Sequence, residues 1–348
     1  MKILHLFIVL FVLLITDGCV DRVGLHPPQS EVITPQPVKI AMILPERIIG
    51  RYAHTTSTAV FAYFIRRNEP FTLKTYTIDN ESEESLIKVI QEIKKENIHF
   101  VIAPLTIDGA TTLADIENEI NIFFPTIHQT DLKTHTDNFY FGAINYQAQI
   151  DAIIPLSGDP LVIMYDKSKH GLKLYKEVEK SYHSEGKQSK KLYSFSINKK
   201  RTNLKSYLSD NKKIHNASFF LNTPIIKSTM VLSQLSTYDI NAHSVLSTQI
   251  NYDPLIFSMT QEKDRKNLYI TNSITEYDDQ LIQANAILSN DIVYNWINYT
   301  SSVGADLFFH LITGKERLYH LELKNQQVIY PITIVTPKGS HFETVTLG

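Results

Sequence analysis

The chain has a single cysteine, Cys19, and a single tryptophan among its 348 residues. One cysteine excludes an intramolecular disulfide framework and a zinc site built on cysteines. Acidic and basic residues nearly balance, at 36 and 34, so no excess positive charge favours a nucleic-acid partner. The 13 histidines are scattered singly, which does not favour a metal site. The motifs G-x-S-x-G, H-E-x-x-H and C-x-x-C are absent, and Thr313-Gly314-Lys315 lacks the upstream glycine of a phosphate-binding loop. We therefore expect no enzyme activity, no metal and no cofactor.

The residues before Cys19 have the pattern of a secretion signal. Met1-Lys2 is a short basic start, and the apolar run at 3–15 is too short to span a bilayer comfortably. The segment resembles the lipobox of bacterial lipoproteins, which implies a signal peptide at 1–18 and a lipid on Cys19. Val20, and not aspartate, follows the cysteine, which resembles the signal for sorting to the outer membrane in such lipoproteins. The expected location is therefore the periplasmic face of the outer membrane. The alternative is an N-terminal membrane anchor with an incidental cysteine. Residues 19–37, with four prolines, are expected to form an extended tether.

From Val38 onward, short apolar runs alternate with amphipathic stretches, which is typical of parallel α/β sheets. The first series predicts strands at 39–44, 71–77, 99–103 and 121–125, and helices at 57–67, 83–95 and 109–120. The second series predicts strands at 161–164, 192–197, 217–221 and 243–246, and helices at 172–184 and 225–238. The break between them lies near 142–160, so two lobes of similar build are expected. Further strands are predicted at 318–323, 328–335 and 341–346.

Several of these segments carry a family resemblance. The run KIAMILPERIIGRY at 39–52 resembles the start of type 1 periplasmic binding proteins. The runs HFVIAPLT at 99–106, FFPTIHQ at 123–129 and MYDKSKHGLKLYKEVEKSYHSEG at 164–186 resemble later turns of that family. A closer likeness, through Met42 to Ala53 and the lipid anchor, is to the C-terminal domain of lipoprotein activators of penicillin-binding proteins. The resemblance implies an α/β fold of two lobes, in which parallel sheets are flanked by helices. The first lobe would contain 38–142 and about 272–311, and the second 143–271 and about 312–348.

The resemblance also implies a cleft in which hydroxyl and N–H groups at strand-to-helix turns hold a ligand carboxylate. Thr106, after the third strand, and Thr130, after the fourth, are the candidates, although helix capping needs the same hydroxyls. Glu46 and Arg47 are bulky where the family has small residues, so we expect them to fill the cleft. His170 stands where the family often has an aromatic residue that stacks on the ligand.

A helix is predicted at 292–311, where Trp296, Tyr299 and Val303 share one face. Such a stripe usually belongs to a core, whereas an exposed tryptophan would mark an interface.

Two functions remain. The first is a non-enzymatic envelope scaffold or regulator, either like a cell-wall-synthase activator or an accessory of a flagellar motor. Its partner would be a penicillin-binding protein or a motor component. The second is a lipid-anchored solute-binding protein for an amino-acid-like ligand. The bulky residues Glu46 and Arg47 favour the first.

Overall fold

The structure is a computed structural model, and it describes residues 37–116, 119–133, 136–184, 190–197, 203–209 and 212–346. The predicted signal peptide, Cys19 and nearly all of the tether lie outside these residues. Within the described ranges, no helix combines the length and the apolar character needed to cross a bilayer. Those ranges also contain no group of three histidine, cysteine or acidic side chains arranged to hold a metal ion.

The strands of the described residues form two sheets. In chain order they are β1 (Val38–Leu44), β2 (Phe71–Thr77), β3 (Phe100–Ile102), β4 (Asn121–Phe124), β5 (Phe139–Phe141), β6 (Leu161–Tyr165), β7 (Leu192–Ser196), β8 (Ser218–Asn222), β9 (Val245–Ser247), β10 (Leu268–Asn272), β11 (Glu322–Lys324), β12 (Gln327–Ile329), β13 (Thr333–Lys338) and β14 (His341–Thr344). The first sheet has the order β11-β12-β5-β4-β3-β1-β2, and the second has the order β14-β13-β10-β9-β8-β6-β7.

Each sheet has a parallel core and an antiparallel edge. Strands β1 to β5 pair in parallel, and β12 joins β5 in parallel before β11 turns back antiparallel. In the second sheet β6 to β10 pair in parallel, while β13 and β14 add antiparallel strands. The chain therefore passes from the first sheet to the second after β5, returns after β10, and crosses again after β12.

Helices flank both sheets. They are α1 (Glu46–Ile49), α2 (Arg51–Arg67), α3 (Glu83–Lys95), α4 (Ile107–Ala114), α5 (Tyr146–Ile153), α6 (Lys169–Ser184), α7 (Lys205–Leu208), α8 (Ile225–Thr237), α9 (Leu255–Met259), α10 (Asp279–Ile287) and α11 (Trp296–Thr313). The predicted α/β architecture of parallel sheets flanked by helices is confirmed.

The core of the first sheet follows the alternation of β1. Ile40 and Met42 face α2 and α11, whereas Ala41 and Ile43 face α3 and α4. Both faces of β1 are covered, so all of its residues except Lys39 are buried, which explains its nearly continuous apolar sequence. Helix α11 is buried along most of its length and packs on α2.

Some boundaries differ from the predictions, each for a local reason. The strand predicted at 328–335 is split between the two sheets, because Pro331 has no N–H group to donate to a sheet ladder. The helix predicted at 109–120 runs instead from Ile107 to Ala114, since Thr106 caps its start. The helix predicted at 292–311 begins only at Trp296, where Asn295 is the N-cap.

The division into lobes stays a prediction. Strand pairing places β11 and β12 in the first sheet, and β13 and β14 in the second.

Candidate functional site

A cavity of about 580 Å³ lies where strands β3 and β4 of the first sheet end, facing α6. Parallel strands bring their carboxyl ends to one edge of a sheet, and ligands of open α/β sheets bind at such edges. We call it the strand-end cavity. Its lining residues are Ile49, Pro104, Leu105, Thr106, Ile107, Thr126, Ile127, His128, Thr130, Asp131, Ala143, Ile144, Asn145, Tyr146, Gln147, Lys169, His170, Lys173, Leu174, Glu177 and Trp296.

Aromatic rings form one part of the wall. Tyr146, the first residue of α5, meets Trp296 edge to face with ring centroids 6.3 Å apart. Tyr146 also meets the ring of His170 edge to face, with ring centroids 5.3 Å apart. Burial raises the pKa of the Tyr146 hydroxyl above its ordinary value, so the phenol stays neutral. Trp296 is half-buried and belongs to the cavity wall, while Tyr299 and Val303 on the same helix face are core residues, as predicted.

An ion pair joins the two sides of the cavity. Lys173 Nζ on α6 lies 2.8 Å from Asp131 Oδ1, in the 3-10 turn Gln129–Asp131 that follows β4. Glu177, one helical turn beyond Lys173, has its Oε2 atom buried with no hydrogen-bond partner among the described residues. Burial raises the pKa of the Glu177 carboxyl, and Lys173 partly opposes that shift. The wall therefore carries charges of both signs.

Two histidines line the same cavity. The pKa of His128 is lowered chiefly by burial, although Asp131 acts in the opposite direction. The pKa of His170 is lowered by its desolvated surroundings first and by the charge of Lys173 second. Both rings are therefore held toward their neutral forms.

Thr106 is the N-cap of α4, and its polar groups already have partners. Its side-chain oxygen accepts a hydrogen bond from the Gly109 backbone N–H at 3.2 Å. Its backbone N–H donates to Glu81 Oε1 at 2.9 Å, and its hydroxyl donates to Glu81 Oε2. Helix capping, the alternative that the sequence left open for this threonine, is confirmed. The carboxylate at the N-terminus of α4 is therefore the side chain of Glu81.

The structure brings three of the predicted cleft residues together. Thr106, Thr130 and His170 all line the strand-end cavity. Thr130 is not a cap, because it lies inside the 3-10 turn that His128 caps. Its hydroxyl lies 2.9 Å from His128 Nδ1.

Glu46 and Arg47 do not line this cavity, so the expectation that they fill the cleft is wrong. Arg47 Nε pairs with Asp79 Oδ1 at 3.1 Å, and both side chains are largely exposed. Glu46 Oε1 accepts a hydrogen bond of 3.4 Å from the Thr77 hydroxyl. Both side chains of α1 thus turn toward the end of β2, and it is Ile49 of this helix that lines the cavity.

Several residues of the site were missed from the sequence. Glu81 lies 25 positions before Thr106, in the loop between β2 and α3, and no spacing rule connects the two. Lys173 and Glu177 carry a weak signal, since opposite charges four residues apart mark one helix face.

No family model matches the sequence, and no curated protein matches it. Solved structures do resemble it. A branched-chain amino acid ABC transporter protein from Rhodospirillum rubrum has a TM-score of 0.68 at 7% identity, covering 89% of this chain and 100% of that one. The substrate-binding protein LivJ from Streptococcus pneumoniae, solved in complex with isoleucine, has a TM-score of 0.62 at 11% identity, covering 89% and 99%. The C-domain of LpoA from Haemophilus influenzae, a regulator of PBP1A, has a TM-score of 0.58 at 8% identity, covering 88% and 100%.

The fold is thus that of type 1 periplasmic binding proteins, as the sequence resemblance implied. The same fold occurs in amino-acid-binding proteins and in a regulator. At these identities the likeness shows the fold alone, and function has to be argued from the site.

Proposed function

We propose that the protein is a non-enzymatic, lipid-anchored scaffold or regulator of the cell envelope that acts through protein contacts. The observation that carries this proposal is the hydrogen bonding of Thr106. Both of its donors, which a solute's carboxylate would need, are used by Glu81. The Asp131–Lys173 pair supports the proposal, because it joins the two sides of the cavity through the chain's own side chains.

The partner in this proposal is a penicillin-binding protein. It is favoured by the similarity to the C-domain of LpoA, which is described as a regulator of PBP1A. A flagellar-motor component remains an expectation from the sequence. The anchor at Cys19 and the location on the periplasmic face of the outer membrane rest on the N-terminal sequence pattern.

In-cell photo-crosslinking tests the proposal. A photoreactive residue would replace Ile287, which is 83% exposed at the end of α10, or Ile226, which is 54% exposed at the start of α8. We expect recovery of a penicillin-binding protein from at least one position, and loss of that product in a Cys19→Ser background. Recovery of an inner-membrane transporter alone would contradict the scaffold proposal.

The second candidate is a solute-binding protein, and the strand-end cavity favours it. Its volume of about 580 Å³ lies within the range of small-molecule sites, and its wall contains aromatic rings and a few polar groups. Trp296 is the only tryptophan of the chain, so its fluorescence reports directly on this cavity. Titration with common amino acids, together with a thermal-shift assay, tests this candidate. A ligand at a hundred times its Kd would add about 2.7 kcal/mol to stability.

A further inference from the structure

We propose that Glu81 is an internal ligand of the α4 N-terminus and that it determines specificity by excluding carboxylates from the strand-end cavity. This inference deepens the proposed function, since it assigns to one side chain the loss of a carboxylate-binding cleft. It also narrows the ligands of the cavity to molecules without a carboxylate.

The first step is the hydrogen-bonding capacity of Thr106. A threonine hydroxyl has one proton to donate, and its backbone has one more. Glu81 accepts both, through Oε2 and Oε1, while the hydroxyl oxygen accepts the proton of Gly109 N–H. A carboxylate entering beside Thr106 would find neither donor available until Glu81 moves away.

The second step is electrostatic. The N-terminus of a helix favours a negative charge, and α4 is eight residues long, with this charge already supplied by Glu81. A second carboxylate at the same place would meet the repulsion of the first at hydrogen-bonding distance. Exclusion thus follows both from occupied donors and from like charge.

The third step is that the surrounding chain holds Glu81 in this position. Asn80 Oδ1 accepts hydrogen bonds from Ser82 N at 3.0 Å and from Ser85 Oγ at 2.9 Å, which fixes the loop on either side of Glu81. On the other side, Gly109 stands in the first turn of α4, and a Cβ added there would collide with the Glu81 side chain. Glycine within a helix costs stability, so its presence here is consistent with making room for the carboxylate.

The remaining wall agrees with a ligand that has no carboxylate. Tyr146 and Trp296 offer aromatic surface, and Glu177 Oε2 is a buried acceptor without a partner among the described residues. An acceptor of this kind suits a donor group on a ligand, such as an amine or a hydroxyl, and repels another carboxylate.

Chemical rescue with acetate tests the proposal on the purified mature protein. In Glu81→Ala the donors of Thr106 are vacated, and the melting temperature should fall. Sodium acetate should then restore it in a saturable manner, with chloride at equal ionic strength as the reference. We expect acetate to bind the variant at least about tenfold more tightly than the wild type, whose melting temperature should not respond.

The matched control is Glu84→Ala, which removes an exposed glutamate from the first turn of α3 and should show no rescue. Glu81→Ser serves the same test if the alanine variant does not fold, because its hydroxyl is too short to replace the carboxylate. Equal acetate binding by wild type and variant, or no acetate effect on the variant beyond that of chloride, would overturn the proposal. Because this experiment needs no partner, its failure is distinguishable from a failure of the crosslinking test.

Discussion

Asp306 joins α11, α2 and the segment that follows α11, so replacing it is a sharp test of the fold. The carboxylate is fully buried in α11. It accepts hydrogen bonds from the Tyr63 hydroxyl at 2.9 Å and from Arg67 Nη2 at 3.1 Å, both on α2. It also accepts from Arg317 Nε at 3.1 Å and from the Leu318 backbone N–H at 2.7 Å, both beyond the end of α11.

Asp306→Asn keeps the shape of the side chain, removes its charge, and turns one oxygen into a donor that faces other donors. Arg67 and Arg317 would remain mostly buried, with 14% and 16% of their side chains exposed, and without their counterion. Breaking one partner of a buried ion pair costs about 3–5 kcal/mol. We expect the free energy of unfolding to fall by this amount. The separate hydrogen bonds to Asp306 are not summed, because contacts to one group are not additive.

Urea unfolding followed by circular dichroism measures this loss, and Trp296 fluorescence gives a second probe at the start of α11. The control is Asp79→Asn, which breaks the exposed pair with Arg47 and should cost less than about 1 kcal/mol. If Asp306→Asn were no more destabilising than this control, the buried network would not stabilise the protein as described.

Three other predictions concern the site and the anchor. Gly109→Ala should lower the melting temperature although alanine favours a helix by about 1 kcal/mol, because the new Cβ meets Glu81; a rise would refute the contact. The folded pKa values of His128 and His170 lie below their unfolded value of about 6.5, so stability is fully present above that pH and is lost as the pH falls from there through the lowered folded values. Melting temperatures measured over this pH range should show the loss of stability, and replacing both histidines by glutamine should make that loss smaller. An unchanged pH dependence of the melting temperature in the variant would count against the role of these two histidines. Cys19→Ser should abolish fractionation with the outer membrane, as followed by immunoblotting, and unchanged fractionation would exclude the lipid anchor.

The sequence was most informative where a periodic pattern was long. The bounds predicted for β2 and α3 agree with the structure at every residue, because α3 has Leu86, Val89, Ile90 and Ile93 at helical spacing and Ser82 as its cap. The three-residue strand β5 and the eight-residue helix α5 were missed, since such short elements carry little periodicity.

Residues of the candidate site could likewise be predicted only where a sequence pattern marks them. Thr106 could be found because it follows a predicted strand of the parallel sheet, at the edge where ligands bind. His170, which follows β6 of the second sheet, could be found because the family resemblance places an aromatic residue at its position. Glu81 could not be found, because its contact with Thr106 depends on how the loop after β2 lies against α4. Glu46 and Arg47 were misplaced for a similar reason: side-chain direction in α1 is set by Asp79 and Thr77 at the end of β2.

The order in which the chain visits the two sheets has a consequence for its synthesis. Helix α11 and the hairpin of β11 and β12 complete the first sheet's layers, yet they are translated after strands β6 to β10 of the second sheet. A chain that emerges from its N-terminus onward therefore holds the apolar surface of β1 and α2 uncovered until α11 arrives, at residue 313. Such surface is what holding chaperones bind and what drives premature association. A chain truncated before α11 would thus expose β1 and α2, which are translated first and lie far from the truncation point in sequence.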